Sequence, residues 1–372
     1  MRALGIILAG GNNNNMKELT VKRAAAAMPI AGNYRCIDFA LSNMSNSHVQ
    51  KVAVLTQYNS RSLNEHLSSS KWWDFGRKQG GLFIFTPTIT ADNSWWYRGT
   101  ADAIYQNLDF LKKSHEPYVV IASGDSIYKL DYNKVLEYHV YKKADITVVC
   151  KEIGPDEDVS RFGVIRMNED SRIEEFEEKP MVAKSNTIST GIYVIRRRQL
   201  IELMEKCALE NRFDFVTDIL IRYKNLKRIY GYKMKEYWNS ITCVESYYQT
   251  NMDFLKPEVR RYFFHDYPDI YSKIDDLPPA KYNVGADVRN SLVSSGCILN
   301  GKVENSILYK KVYIGNNCVI RNSIILNDVY IGDNTYIENC IIESHDTLRA
   351  NMTYIGEEDI RIVFENNERF VL

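Results

Sequence analysis

The last part of the chain places an apolar residue at every sixth position, and this period limits the possible folds more than any other feature. Two series carry it: Ile314, Ile320 and Leu326, and Val312, Cys318 and Ile324. Gly and Asn residues separate the apolar positions, and after a slip of one residue the period resumes at Val329. Such a period is typical of a parallel β-helix, in which stacked coils bury a continuous core.

We expect the repeats of this β-helix over about residues 284–343, which allows only a few coils. An antiparallel β-domain with similar turn spacing is the alternative interpretation. A β-helix with few coils exposes strand edges that natural proteins usually cover, so we also expect contacts between subunits there.

The first 255 residues follow a different pattern, in which short β-branched runs alternate with amphipathic stretches. The apolar runs of strand length are residues 4–8, 52–55, 118–122 and 146–149, and a helical pattern covers residues 101–113. This alternation predicts an α/β domain with a mostly parallel sheet covered on both faces, which binds ligands at the carboxyl ends of its strands. The loops after Leu8 and Ser123 are therefore the first candidates for a site.

Between these two regions, residues 256–283 carry four prolines and little periodicity. We place a linker there, between a first domain of residues 1–255 and a β-helix domain of residues 284–372.

The charge balance excludes some classes of protein. Lys and Arg number 47, as do Asp and Glu, so the formal net charge is zero. Binding to nucleic acid or to a membrane surface through bulk charge is therefore not expected.

The apolar run of the first strand is too short to cross a bilayer, and no cleavage motif follows it, so we expect no signal peptide. The seven cysteines form no Cys-x-x-Cys pair. We expect them to be buried apolar residues of a protein in the reducing cytoplasm, without a zinc site or disulfides.

Gly10 and Gly11 directly follow the first predicted strand, where glycines let the backbone approach phosphates closely. From this point the sequence resembles bacterial ADP-glucose pyrophosphorylases, the glucose-1-phosphate adenylyltransferases. The likeness is carried by LAGG at 8–11, GNYRCIDFALSNMSNS at 32–47, LTQYNSRSLNEHL at 55–67, WYRGTADAIYQNL at 96–108 and EEKP at 177–180. It extends over essentially the whole chain.

This resemblance implies a Rossmann-like nucleotidyltransferase domain of the GT-A-like type, followed by a left-handed parallel β-helix. It implies a reaction of ATP with glucose 1-phosphate, in which catalysis is mostly positioning and stabilisation of charge by cations and Mg²⁺. Asp125 matches a retained metal-binding carboxylate. The implied nucleotide contacts are Leu8, Ala9, Gly10, Gly11, Gln57, Gly99 and Thr100. The implied sugar-phosphate contacts are Gly163, Glu178, Lys179 and Ser189.

The chain departs from the family pattern at four charged positions. Asn15 stands where an arginine is expected, Ala25 and Thr217 where lysines are expected, and Ser240 where the second metal-binding aspartate is expected. Removing one preorganised stabilising group often costs about 10²–10³ in rate, and the effects of groups that act together do not add. We therefore expect a combined loss of about 10⁵ or more, and Mg²⁺ binding is in doubt. The alternative is an active enzyme in which Lys17, Lys22 or Arg23 replaces the missing cations.

This pattern resembles the GlgD-type subunit, a non-catalytic or weakly active paralogue that pairs with a GlgC-type catalytic subunit. The resemblance implies a heterotetramer with a regulatory role in glycogen synthesis. ATP, glucose 1-phosphate or a sugar-phosphate effector is a possible ligand, and Arg35, Lys51 and Arg61 lie near segments where the family binds activators. A sugar-phosphate sensor unconnected with synthesis is a further alternative.

Overall fold

The computed structural model describes residues 2–11, 14–76, 80–88, 96–154 and 157–364. The chain divides into two compact units that interleave in sequence. The first unit comprises residues 1–11 and 39–238, and the second comprises residues 12–38 and 239–372. The predicted domain boundaries follow the order of the sequence, and they stay a prediction.

The described residues of the first unit form a nine-stranded sheet. Its strands are β1 (Ala3–Ala9), β2 (Lys51–Thr56), β3 (Gly81–Phe85), β4 (Tyr118–Ser123), β5 (Ile146–Glu152), β6 (Gly163–Met167), β7 (Ile173–Glu178), β8 (Thr187–Arg196) and β9 (Ile229–Met234). Their order is β7-β6-β8-β4-β1-β2-β3, with β5 also paired to β8 and β9 paired to β5. The four strand runs predicted from the sequence fall on β1, β2, β4 and β5.

The expectation of a mostly parallel sheet is wrong for half of this sheet. Strands β1 to β4 pair in parallel, as do β5 and β9. Strand β8, in contrast, is antiparallel to β4, β5 and β6, and β6 is antiparallel to β7. The strands from β6 to β8 follow one another without helical crossovers, and neighbouring strands joined by short connections pair antiparallel.

Helices connect and cover the other strands. They are α1 (Cys36–Asn46), α2 (Arg61–Leu67), α3 (Thr100–Gln106), α4 (Leu108–Lys112), α5 (Tyr132–Tyr141) and α6 (Arg197–Leu209), with a π-helix at Val216–Ile221 and a 3-10 turn at Ser70–Trp73. The single helix predicted over residues 101–113 is two helices that meet at Asn107. Its side chain donates to the Ala103 carbonyl oxygen (2.8 Å) and the Tyr97 hydroxyl (2.9 Å).

The second unit contains α7 (Val244–Asp253), α8 (Pro257–Phe264), the 3-10 segments Asn14–Thr20 and Ala25–Ala27, and the short strands Pro29–Ile30 and Tyr34–Arg35. Helix α8 lies inside the stretch predicted as a linker, which therefore holds regular structure. Pro257 occupies the start of this helix, where a missing N–H costs no hydrogen bond.

A parallel β-helix occupies residues 281–363 of the second unit and excludes the antiparallel alternative. It has three sheets of five strands each, and three faces are typical of a left-handed parallel β-helix. The predicted left-handed parallel β-helix is therefore confirmed. The first sheet contains Lys281–Tyr282, Ile298–Leu299, Tyr313–Ile314, Tyr330–Ile331 and Thr347–Leu348. The second contains Asp287–Arg289, Lys302–Glu304, Val319–Arg321, Tyr336–Glu338 and Thr353–Ile355. The third contains Leu292–Val293, Ile307–Leu308, Ile324–Ile325, Cys340–Ile342 and Arg361–Val363.

Most coils of this β-helix are 17 residues long. Lys302, Val319, Tyr336 and Thr353 are successive register partners at positions 302, 319, 336 and 353. Ile314, Ile320 and Ile325 belong to the buried core of the β-helix, so the third face of a coil advances five residues instead of six. The one-residue slip in the sequence period therefore lies before Leu326, which is buried but outside this core cluster.

Asparagine residues turn several of the corners. Asn317, Asn334 and Asn351 have φ values of 54°, 56° and 61°, in the left-handed region that asparagine tolerates better than most residues. Their side chains form a ladder, with Asn317 Nδ2 donating to Asn334 Oδ1 (3.1 Å) and Asn334 Nδ2 donating to Asn351 Oδ1 (2.9 Å).

The cysteines are unpaired, and six of the seven are buried. Cys243 is the partly exposed one, at the start of α7. Across the described ranges, no helix combines the length and the apolar character needed to pass through a bilayer.

Candidate functional site

The loop after β1 begins where three parallel strands end side by side. Leu8 pairs with Leu55 of β2 and Ser123 of β4, and its carbonyl oxygen accepts from the Gly124 N–H (2.9 Å). Ala9 is buried beside it. The first unit therefore brings the two loops predicted as ligand sites, after Leu8 and after Ser123, to one edge of the sheet.

Gly10 passes close to the end of β2. A Cβ atom at Gly10 would lie 3.1 Å from Gln57 Cβ and 3.2 Å from Gln57 N, so a side chain would be crowded there. Gly11 is exposed, and a Cβ there would meet no atom within 4 Å among the residues that the structure describes. The two glycines therefore fit a close backbone passage followed by an open backbone that a phosphate group can approach.

Gln57 uses both ends of its amide to hold the backbone of Tyr97. Its Oε1 accepts from Tyr97 N (2.7 Å), and its Nε2 donates to Tyr97 O (3.2 Å). Next to this contact, the Trp96 and Tyr58 rings lie nearly parallel, with centroids 6.0 Å apart. Both rings are exposed, so they offer a surface on which a base can stack.

Gly99 and Thr100 join the start of α3 to residues 213–215. A Cβ at Gly99 would lie 2.3 Å from Phe213 O, so this close approach requires glycine. The Phe213 carbonyl oxygen accepts from Ala101 N (2.8 Å), and Thr100 Oγ1 accepts from Phe215 N (2.9 Å). Both predicted nucleotide contacts are therefore also structural links within the unit.

Thr217 follows this junction and is neutral where the family pattern has a lysine. Its N–H donates to Asp214 Oδ1 (2.7 Å). Asp218 Oδ2 accepts from the N–H groups of Phe213 and Asp214 (both 3.0 Å), and Arg212 lies 3.3 Å from its other oxygen. Two carboxylates therefore shape this turn, as N-cap residues do at a helix start.

Asp125 lies in the turn between β4 and the short strand Ser126–Tyr128. Ser123 Oγ donates to its Oδ1 (2.6 Å), and Ser126 Oγ lies 3.5 Å from the same atom. Among the residues that the structure describes, no three His, Cys, Asp or Glu side chains are grouped as a metal site. Asp125 offers one carboxylate and Ser240 offers none, so these residues do not fit a Mg²⁺ ion held by two protein carboxylates.

Glu178 and Gly163 face each other across β7 and β6. A Cβ at Gly163 would lie 2.9 Å from Glu178 Oε2, so glycine leaves room for the carboxylate. Burial raises the pKa of Glu178, and the Lys179 ammonium, 4.0 Å from Oε1, partly opposes this rise. Lys179 has φ 47° and an exposed side chain. The pair therefore combines a partly buried carboxylate with an exposed ammonium that lies 4.0 Å from it.

Ser189 lies on the long strand β8, before a bulge that contains Gly191 at φ 73°. Its Oγ is 3.5 Å from the Tyr193 hydroxyl. Burial raises the pKa of Tyr193, and the negative charges of Glu178 and Asp214 raise it further. Two hydroxyls and two carboxylates therefore lie near one another, a set of groups suited to hydrogen bonds with a polyhydroxy ring.

The other three departures from the family pattern lie in the second unit. Asn15 is exposed in the segment Asn14–Thr20. Ala25 is buried within a run of four buried alanines. Ser240 is buried at the end of the strand Trp238–Ser240, and its N–H donates to Asn239 Oδ1 (2.9 Å). None of these three side chains carries a charge.

The comparisons with known proteins cover both parts of the chain. A family model described as Nucleotidyl transferase matches residues 4–257, and one described as GlmU-like, C-terminal hexapeptide matches residues 278–368. The glucose-1-phosphate adenylyltransferase of Clostridium novyi (strain NT) is 41% identical over 320 residues, which are 85% of this chain and 84% of that protein. The enzyme of the same name from Thermosipho melanesiensis is 42% identical over 86% of this chain and 77% of its own length. The one from Bacillus subtilis (strain 168) is 38% identical over 86% of this chain and 84% of its own.

The chain belongs to the glucose-1-phosphate adenylyltransferase family. The resemblance inferred from the motifs is therefore confirmed at the level of the family.

Three polar residues of this adenylyltransferase-family chain were missed by the sequence reasoning. Asp214 and Tyr193 join Glu178 and Ser189 only in the folded chain. Trp238 packs edge-on against Phe162 (5.5 Å between centroids), and its buried Nε1 has no hydrogen-bond partner in the described part of the chain. A buried N–H without a partner is a candidate donor to a ligand. In the sequence, the acidic residue in FDF and the aromatic residues in YW were the signals from which Asp214 and Trp238 could have been proposed.

The adenylyltransferase resemblance also suggested Arg35, Lys51 and Arg61 as effector contacts. Lys51 begins β2, and its ammonium lies 2.7 Å from Ser114 Oγ. Arg61 begins α2, beyond the other end of this strand, and forms an ion pair with Glu65 (3.5 Å). Arg35 lies in the second unit, where its N–H donates to Asp38 Oδ2 (2.8 Å).

Proposed function

We propose that this chain is a GlgD-type regulatory subunit of a glucose-1-phosphate adenylyltransferase, with little or no activity alone. It would support the synthesis of ADP-glucose from ATP and glucose 1-phosphate for glycogen formation in the cytoplasm. One observation carries the proposal. The four positions where the resemblance implies charged catalytic residues hold Asn15, Ala25, Thr217 and Ser240, while Gly163, Glu178, Lys179 and Ser189 keep the residue types that it implies for sugar-phosphate contacts.

The chemistry of the reaction explains why this combination matters. Transfer of a nucleotidyl group develops negative charge on phosphate oxygens, and enzymes stabilise it with positioned cations and metal ions. A site without those cations can still bind a sugar phosphate through hydroxyls, carboxylates and the Lys179 ammonium. Retained binding with lost turnover is what a regulatory subunit requires.

The contacts of the nearby basic residues argue against an enzyme active in its own right. Arg23 forms an ion pair with Glu343 and lies 3.3 Å from Ser344 Oγ. The Lys22 ammonium lies 4.8 Å from the centroid of the Phe364 ring. Two of the three cations considered as replacements therefore already have partners within the second unit, and Lys17 is left.

The proposed partner is a GlgC-type catalytic subunit in a heterotetramer, which would hold the Mg²⁺ that the reaction needs. The contribution of this chain would be a coupling free energy between its ligand and the catalytic site, typically about 1–3 kcal/mol. Such a coupling changes the affinity of the partner for its substrate or effector about 5–150-fold.

Pyrophosphate release by the purified chain tests the first part of the proposal. With ATP, Mg²⁺ and glucose 1-phosphate we expect turnover far below about 1 s⁻¹, the lower end of the usual range for enzymes. Turnover of about 1 s⁻¹ or more would identify an active enzyme instead.

Mixing with a catalytic subunit tests the second part. We expect the effector response or the maximal rate of the partner to change, and the two chains to co-elute at the mass of a tetramer. If neither rate nor response changes while glucose 1-phosphate still raises the melting temperature of this chain, the sensor alternative is correct.

A further inference from the structure

The second unit contains an open groove between the end of α7 and one corner of the β-helix. Its volume is about 500 Å³, within the range of about 300–1,000 Å³ that is usual for small-molecule sites. Asn290, Asn305 and Asn322 line the side formed by the β-helix, and Tyr248 and Met252 line the side formed by α7. None of these residues takes part in the candidate nucleotide or sugar-phosphate contacts.

The asparagines of this groove stand at equivalent corners of successive coils. Asn305 and Asn322 have φ values of 46° and 44°, and Asn322 N donates to Glu304 O in the coil before it (3.1 Å). Asn290 Nδ2 donates to Asn305 Oδ1 (2.7 Å). The row of side-chain bonds ends there, because within the described ranges the half-buried Asn322 side chain forms no hydrogen bond with another protein group.

The asparagine ladder at another corner shows what is missing at the groove. There the side chains of Asn317, Asn334 and Asn351 bond in succession (3.1 and 2.9 Å). At the groove, Asn305 Nδ2 has no acceptor among the residues that the structure describes, and the Asn322 amide has neither a donor nor an acceptor among them. An amide in this state offers a ligand both a donor and an acceptor.

The rest of the groove is mostly apolar. Tyr248, Met252 and Leu255 line it, and the Tyr248 hydroxyl already donates to the Asn322 carbonyl oxygen (2.7 Å). Lys256 is the one charged residue among the described residues of the lining, and its ammonium lies 2.7 Å from Asp253 Oδ1. Since this cation is already paired and burial of a further charge costs free energy, the groove favours a neutral ligand.

The spacing of the asparagines separates two classes of neutral ligand, a peptide main chain and a carbohydrate. Amides from successive coils are about 4.7–4.9 Å apart, the distance between neighbouring strands. An extended peptide presents groups on one side about every 6.4–6.8 Å, so its polar groups would fall out of step with the asparagines. A sugar ring carries hydroxyls around its edge, each able to donate and accept, and C–H groups on its faces. A carbohydrate therefore matches the amides and the apolar side together.

We propose that this groove binds a neutral oligosaccharide. The amides of Asn305 and Asn322 bind its hydroxyls, and Met252 and Leu255 contact the faces of its rings. The choice of a short glucan as that oligosaccharide rests on the proposed function, because a glucan is the polymer that ADP-glucose serves. The groove is a binding site, at which no bond is made or broken.

Titration of the full chain with maltotriose, followed by calorimetry, tests the proposal. We expect saturable binding that glucose 1-phosphate does not abolish. Asn322→Gly removes the amide and suits a φ of 44°, and it should weaken binding about tenfold, the effect of losing about two neutral hydrogen bonds. Asn334→Gly is the matched control, at a corner with φ 56° outside the groove, and it should bind like the natural chain.

Met252→Ala covers the case in which Asn322→Gly does not fold. It shortens a partly exposed side chain, keeps a strong helix former on α7, and should weaken maltotriose binding about threefold or more. Absence of saturable binding, competition by glucose 1-phosphate, or equal affinities in these two variants and the control would overturn the proposal. Binding of N-acetyl-trialanine amide in place of maltotriose would overturn it too and would identify a peptide groove. The titration needs neither turnover nor a partner subunit, so its failure is distinct from failure of the proposed function.

Discussion

At the scale of single residues, the polar side chains of the candidate site bind the backbone of their own unit. Gln57 holds both polar atoms of the Tyr97 backbone, and Thr100 and Asp214 hold the turn at residues 213–217. These groups are therefore in place before a ligand arrives, and binding does not have to order them. Glu178 is different, because its carboxylate packs close to Gly163 and lies 4.0 Å from the Lys179 ammonium.

Replacing Glu178 tests whether this carboxylate receives sugar hydroxyls. We expect Glu178→Gln to weaken glucose 1-phosphate binding about 10–100-fold, the effect of losing a hydrogen bond to a charged group. Glu177→Gln, next in the chain and paired with Lys184 at 2.7 Å, should bind like the natural chain.

Because the pKa of Glu178 is raised, its carboxylate is protonated at a higher pH than that of an ordinary glutamate. Affinity should therefore fall earlier on acidification, which a calorimetric pH series would measure.

The buried side chain of His139 should make the folded protein less stable in acid. It is buried on α5, with Nδ1 2.9 Å from Thr147 Oγ1, and burial with the nearby Arg196 charge lowers its pKa to about 4. Its ordinary pKa of about 6.5 is restored in the unfolded chain, which therefore takes up the proton first as the pH falls. The free energy of unfolding should be about 2 kcal/mol lower at pH 5 than at pH 7.5 from this group alone.

Urea unfolding at the two pH values measures this difference. His139→Gln cannot be protonated and should reduce the pH dependence by that amount. His265→Gln, at an exposed position, should leave it unchanged. An unchanged pH dependence in His139→Gln would show that the proton is taken up elsewhere.

At the scale of elements, the sequence predicted those features that repeat or alternate locally. The period of six residues predicted the β-helix because its core positions recur along the chain, and β1, β2, β4 and β5 were predicted from continuous apolar runs. The antiparallel pairing of β8 was not predicted, because the direction in which a strand pairs depends on partners that are distant in sequence. The break at Asn107 was also missed, because it depends on a hydrogen bond to the Tyr97 hydroxyl.

Gly99 packs so closely at the junction between α3 and residues 213–215 that one added methyl group should lower the stability of the protein. Gly99→Ala would place Cβ against the Phe213 carbonyl, and we expect the unfolding free energy to fall by about 1–3 kcal/mol, as in other overpacked sites. Gly76→Ala is the control, because a Cβ there meets no atom of the described residues within 4 Å. Thermal or urea unfolding of both variants measures the difference, and equal stabilities would mean that the junction yields without cost.

The candidate site was predictable where motifs are contiguous and not where the fold assembles it. Gly10, Gly11, Asp125 and the Glu178-Lys179 pair stand in short recognisable motifs. Asp214 stands only in the short pattern FDF, and the fold places it beside Tyr193 and Thr100. A sequence pattern reports neighbours along the chain, whereas a site is defined by neighbours in space.

At the scale of the whole molecule, residues 12–38 belong to the same compact unit as the β-helix, although they directly follow β1. Asn15, Ala25 and Ser240 therefore lie in one unit, and Thr217 lies in the other. On the proposed function, restored turnover would need changes in both units, so single reversions are expected to do little.

The combined variant Asn15→Arg, Ala25→Lys, Thr217→Lys and Ser240→Asp tests this reasoning. We expect it to release pyrophosphate at least about 100-fold faster than the natural chain, the effect of regaining even one effective stabilising group. Its control carries neutral residues of similar size: Asn15→Gln, Ala25→Met, Thr217→Met and Ser240→Asn. If the charged and neutral sets have equal rates, the site has diverged beyond these four positions.

The 17-residue coil also sets a rule for how this chain can change in length. In the second sheet three successive steps span 17 positions each after a first step, from Asp287 to Lys302, that spans 15. In the third sheet the last step, from Cys340 to Arg361, spans 21. A single residue inserted within a strand would turn the core residues that follow it in that strand outward, whereas gain or loss of one whole coil would keep the register of every strand. Whole-coil changes therefore preserve the core, and shorter changes belong at the corners between strands, as the 15-residue step from Ile298 to Tyr313 illustrates.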